Sequence, residues 1–154
     1  MNKKYELLTD DTIEVFGRKL FRIKAKKNFG TVEAGELGGY IEKEENLSED
    51  GNAWVYADAM VYGNARVSGD AEVSSSKDYI VFKNTWSSFR WFTYTKSNKM
   101  WKVGCFYGTG QELIEKAYQD SEQSGKCYEA YVNLVSELEK IDEWKDNKAM
   151  GYEY

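Results

Sequence analysis

The chain has 154 residues, 42% apolar and 31% charged, with a net charge of −5; this is a globular composition, and no apolar run approaches the roughly 20 residues of a membrane-spanning helix. Histidine is absent, and the two cysteines, Cys105 and Cys127, stand far apart. Ser-His and Cys-His nucleophile pairs, His-ligated metals, disulfide scaffolds and cysteine-rich zinc sites are thereby excluded, which leads us to expect a cytoplasmic protein that is neither an enzyme nor a cofactor carrier.

In chain order, residues 12–16 and 20–24 predict a β-hairpin around Gly17-Arg18-Lys19. Lys24, Lys26 and Lys27 read as a solvated strand end. From residue 51 to 74 the sequence falls into sixes: GNAWVY, ADAMVY, GNARVS and GDAEVS. Alanine recurs at 53, 59, 65 and 71, and valine at 55, 61, 67 and 73. Constant small residues alternating with Trp54, Met60, Arg66 and Glu72 predict strands with the constant positions packed inward and the variable ones in solvent. Gly-Asn or Gly-Asp before most alanines supplies a bend. The period of six predicts a hexapeptide-type β-solenoid, extended backwards in degenerate form to Gly39 and Ile41, then Asn46 and Leu47. Two coils need caps, which the flanking segments must provide. Trp54, Tyr56, Met60 and Tyr62 then form two outward pairs, to be read as scaffold or as a protein interface, with self-association left open.

The stretch from Thr12 to Phe29, the segment Val32-Glu33-Ala34-Gly35-Glu36-Leu37-Gly38-Gly39-Tyr40-Ile41-Glu42, Asn46-Leu47-Ser48 and the G-[ND]-A-x-V-x units together resemble small hexapeptide-repeat proteins of phages and prophages. The resemblance covers roughly residues 5–74, and the segment from Tyr79 through Glu139 resembles a tail on some phage members. It implies a phage context inside a bacterial host cell and a β-solenoid, and supplies no catalytic residue. Ala57 stands where the repeat expects glycine. The histidines that hexapeptide acyltransferases and carbonic anhydrases would require are missing.

Residues 79–107 carry ten aromatic and five basic side chains and no acidic one. A strand is predicted at 79–83, and a hairpin pairing 89–95 with 100–106 around Lys96-Ser97-Asn98-Lys99. The rings suit the buried face of a small antiparallel sheet, but alternation cannot bury all of them. Arg90, Trp91, Trp101 and Lys102 are therefore candidates for a nucleotide or partner surface, Lys102 and Trp91 on one face and Arg90 and Trp101 on the other. Thr109-x-x-Glu112 reads as a capping box. A first helix carries Leu113, Ile114, Ala117 and Tyr118 and is expected to end near Ser124-Gly125. A second carries Cys127, Ala130, Tyr131, Leu134, Val135, Leu138 and Ile141, with Leu113, Leu134 and Val135 as core. Residues 111–154 have a net charge of −6, which reads as a solvated acidic face, with a DNA-mimicking acidic stripe as the lesser alternative; direct nucleic-acid binding is not expected.

The expected architecture is α+β: a solenoid lobe at 1–76 capped by the N-terminal hairpin, an aromatic sheet with two helices at 77–145, and a frayed end at 146–154. The leading functional expectation is a non-catalytic phage protein that binds and blocks a host bacterial protein, such as a CRISPR-type antiviral defence component. The alternatives are a nucleotide-signal binder and, less favoured, a degenerate transferase-like fold that retained only binding. No metal, cofactor or membrane is expected.

Overall fold

The computed structural model describes residues 2–147, which form ten strands and two α-helices. The chain divides into two compact units, Met1–Thr109 and Gly110–Tyr154.

The first unit opens with β1 (Tyr5–Val15) and β2 (Arg18–Ala25), an antiparallel hairpin turning at Phe16-Gly17. It begins seven residues earlier than the sequence pattern shows, because the register shifts between Leu7 and Thr12 and breaks the alternation there. β2 pairs antiparallel with β3 (Leu37–Ile41). Beyond it come three strands of two residues each: β4 (Trp54–Val55), β5 (Met60–Val61) and β6 (Glu72–Val73).

These strands do not build the expected hexapeptide solenoid. Such a solenoid stacks its rungs in continuous parallel sheets, whereas here β1-β2-β3-β5 form one mixed sheet and β4-β6 a separate pair. Leu47 and Val67 meet only in an isolated bridge. The physical reason lies in β3: one edge is taken by the antiparallel hairpin, and the short strands leave too few rungs to propagate a stack.

The inward positions of the repeat are nonetheless buried. Ala53, Ala59, Ala65 and Ala71 join Val55, Val61, Val67 and Val73 in one core with Tyr5, Ile23, Phe29 and Trp54. At its bends Gly51, Gly63 and Gly69 have positive φ, and Ala57 adopts the same left-handed conformation at φ 53°. Arg22 holds that bend. Its guanidinium lies over the Tyr40 ring and donates to the carbonyls of Gly38 and Ala57 and to Asp58.

The unit continues with β7 (Tyr79–Lys83), β8 (Trp91–Thr95), β9 (Met100–Val103) and β10 (Phe106–Thr109), an antiparallel sheet in the order β10-β9-β8-β7. Thr95 pairs with Met100 and Thr93 with Lys102, the register expected from the four-residue loop. β10 is an addition to the sequence reading. Phe106 and Tyr107 continue into a strand because Gly104-Cys105 closes a two-residue hairpin between Val103 and Phe106.

In the second unit, α1 (Gly110–Asp120) is followed by α2 (Glu122–Asn147). The break falls at Ser121 rather than near Ser124-Gly125, since the Ser121 hydroxyl accepts from the Ser124 N–H at 3.0 Å and starts the next helix. Leu113 and Val135 are buried as expected, but Leu134 is 45% exposed. Of the expected frayed end, residues 148–154 lie outside the described residues, and α2 runs through Asn147. Among the described residues no helix is long and apolar enough to cross a membrane.

Candidate functional site

The first unit holds a cavity of about 530 Å³ lined by Asn64, Arg66, Arg90, Trp91, Lys102, Gly104 and Cys105. Three of its residues carry positive charge and none carries a carboxylate. Among the described residues neither guanidinium nor the Lys102 ammonium is joined to an acidic side chain. Cations left without counterions around a concave surface are the chemistry of an anion-binding site.

Each arm of this cavity is fixed by its own local structure. Asn46, fully buried, accepts the N–H groups of Glu42 and Lys43 and donates to the carbonyls of Gly63 and Ala65 at 3.1 and 2.9 Å. The backbone N–H of Arg66 donates to the Thr93 hydroxyl at 3.0 Å, which ties this repeat segment to β8. Arg90 ends a loop closed by Asn84, another buried amide. The Asn84 side-chain oxygen accepts from the backbone N–H groups of Trp86 and Ser87, and the Asn84 backbone N–H donates to the Arg90 carbonyl at 2.8 Å. Gly104 completes the setting, with φ 57° at the β9–β10 turn, where a Cβ would stand 2.8 Å from the Arg90 guanidinium. Glycine here both makes the turn and leaves room for the cation.

Trp91 begins β8 and is 44% exposed, with the Lys83 ammonium 5.5 Å from its ring centroid. Arg90 joins Trp91 and Lys102 in the cavity, contrary to the expected split between sheet faces. It precedes the strand, and Phe89 before it takes a left-handed φ of 59°, so the two-residue alternation does not extend to it. Trp101 is not a site residue. It is 2% exposed and lies in a cluster with Phe82, Phe92 and Tyr94, its ring centroid 4.9 Å from that of Tyr94.

The second expected surface dissolves. Trp54 is fully buried, edge-on to Phe29 at 5.2 Å and to Tyr5 at 6.3 Å. Room for it comes from Gly38, where a Cβ would lie 2.7 Å from the indole and 2.6 Å from the Val55 carbonyl. Tyr56, Met60 and Tyr62 are half-buried. Tyr56 bonds to Glu72, the Met60 carbonyl accepts from Tyr79, and the Arg18 guanidinium lies over Tyr62.

Arg66 and Lys102 also line a neighbouring cavity of about 620 Å³, whose other wall carries Glu44, Glu45, Glu49 and Asp50. The loop bearing these carboxylates is anchored from below. Tyr5 donates to the Leu47 carbonyl at 2.6 Å, and the buried Lys4 ammonium donates to Ala53 at 2.6 Å and Ser48 at 3.1 Å. Burial, reinforced by the charge of Lys27, pulls the Lys4 pKa down to about 8. The two cavities thus share Arg66 and Lys102 but differ in charge: of the two, only the Trp91 side is free of acid.

Sequence reasoning missed Arg66 and Asn64. The signal was faint but present, since Arg66 is the only basic residue in the 51–74 repeat. Neither a protein-family model nor a curated protein matches this sequence.

Proposed function

We propose that this chain is a non-catalytic binding protein for a small phosphate-bearing aromatic ligand, in chemical class a nucleotide. The observation that carries this reading is the acid-free cavity in which Arg66, Arg90 and Lys102 stand beside Trp91. Its volume lies within the roughly 300–1,000 Å³ of small-molecule sites. Guanidinium groups pair phosphate oxygens in a fork, the Lys102 ammonium adds a point charge, and the indole offers a surface for a base. The acidic wall of the neighbouring cavity repels phosphate and favours the Trp91 side. With no histidine in the chain, binding rather than turnover is the function this residue set supports.

Calorimetric titration with cyclic and linear nucleotides, alongside mass spectrometry of any small molecule released on denaturing the purified chain, tests the proposal. Saturable heat that is lost in Arg90→Gln and Lys102→Gln supports it. Absence of heat with every nucleotide, and of any released phosphate compound, overturns it.

A second reading, that the chain blocks a host bacterial protein, is favoured by a different observation: Leu134, Leu138 and Ile141 are exposed on α2. Affinity capture from a bacterial lysate separates the two readings, because a protein partner and a bound nucleotide are recovered in different fractions.

A further inference from the structure

On α2, Cys127, Tyr131, Leu134, Leu138 and Ile141 are spaced by alternating steps of four and three, the pattern of a two-stranded helical seam. Leu134, Leu138 and Ile141 are 45%, 40% and 57% exposed, whereas Tyr128 and Val135, one position round the helix, are buried. The seam is therefore a second apolar stripe beside the one already used in the fold. A 26-residue helix following one of 11 residues leaves length for it.

The charge of α2 selects the occupant. It carries seven carboxylates against three lysines, a net charge of −4. Two copies of α2 laid together would bring two such faces into contact, so self-pairing is opposed electrostatically. A helix with the same apolar spacing and Lys or Arg on its borders meets both features, burying the leucines while its cations offset the net negative charge of α2.

We infer that this stripe docks a basic amphipathic helix of a partner protein. The inference rests on the second reading above, that the chain has a protein partner, and adds the partner's chemistry.

The test uses the full chain and a fluorescently labelled model peptide with leucine at seam positions and lysine at the flanks, read by anisotropy. Saturable binding is expected, weakened at high salt. The triple variant Leu134→Ser, Leu138→Ser, Ile141→Ser should weaken it by at least about tenfold. Leu138→Lys alone, a surface change that spares the fold, should also reduce it, and a second peptide with glutamate in place of lysine should not bind. Equal binding of the two peptides, full binding by Leu138→Lys, or a chain dimer that Leu138→Lys dissociates would overturn the inference. Capture of a lysate protein whose binding is unchanged by Leu138→Lys would overturn it while leaving the partner-blocking reading intact.

Discussion

The repeat of residues 51–74 and the sheet of residues 79–109 bury aromatic rings by opposite means. In the repeat one large ring, Trp54, is buried edge-on to Phe29 and Tyr5 of the flanking segments, and fits because Gly38 leaves a hole for it. In the sheet, rings are pooled: Phe82, Phe92, Tyr94 and Trp101 occupy one face together, while Trp91, Thr93 and Lys102 share the other. The first arrangement depends on one vacancy matched to one side chain. The second depends on alternation and leaves a ring over at the strand end, beside three cations, where it can serve a ligand.

The sharpest way to break this contrast is to remove one ring from each region. Trp54→Ala should cost about 3–5 kcal/mol, the loss for a large aromatic in a packed core, and urea unfolding will read it. Trp91→Ala should stay within about 0.5 kcal/mol of the native chain, as expected of a half-exposed surface ring. Comparable losses at the two positions would remove the distinction. Filling the hole from the other side sharpens it further. Gly38→Ala should cost about 1–3 kcal/mol, since its new methyl must displace Trp54, Ile23 or the Val55 carbonyl, and the same unfolding curve measures it.

The constant positions of the repeat were legible because Ala and Val recur with a period that only an inward face explains. Trp54 was not, because its position also holds Met, Arg and Glu, and variability of that kind reads as solvent. Its partner Gly38 lies sixteen residues earlier, outside the period. The stacking of the repeat was misread for a related cause: the period specifies short strands and bends but not which strands pair, and the hairpin competes for β3. The sheet register was legible from the loop length, and with it Trp91 and Lys102. Arg66 reaches the site through the bonds of Asn46 to Gly63 and Ala65 and of its own backbone to Thr93, long-range bonds that no local pattern encodes.

Smaller effects probe the bends and the anchored loop. Ala57→Gly should stabilise by up to about 1 kcal/mol, because alanine is held at φ 53° where glycine is at ease; a lowered thermal midpoint would contradict this. The buried Lys4 gives a pH signature. Its native pKa of about 8 lies below the ordinary 10.5, so between these values the unfolded chain binds more protons and stability rises with pH. Tyr79, pushed up to about 12 by burial, and Tyr5, raised in the same direction, act oppositely above pH 10, where the unfolded phenols ionise first. The native chain should therefore gain on a Lys4→Met variant as pH rises from about 8 to 10, and the difference between their urea midpoints should shift in favour of the native chain across that range. A constant gap would mean that Lys4 does not shed its proton in the folded state.

The proposed nucleotide site consists of the ring left over by the sheet and its three cations. Calorimetric titration of the native chain and Trp91→Ala with the tightest nucleotide of the screen tests it most directly. Loss of the stacking ring should weaken binding by about 1–3 kcal/mol while the unfolding midpoint stays unchanged. Equal affinity in the two proteins, or no heat from either, would contradict the account.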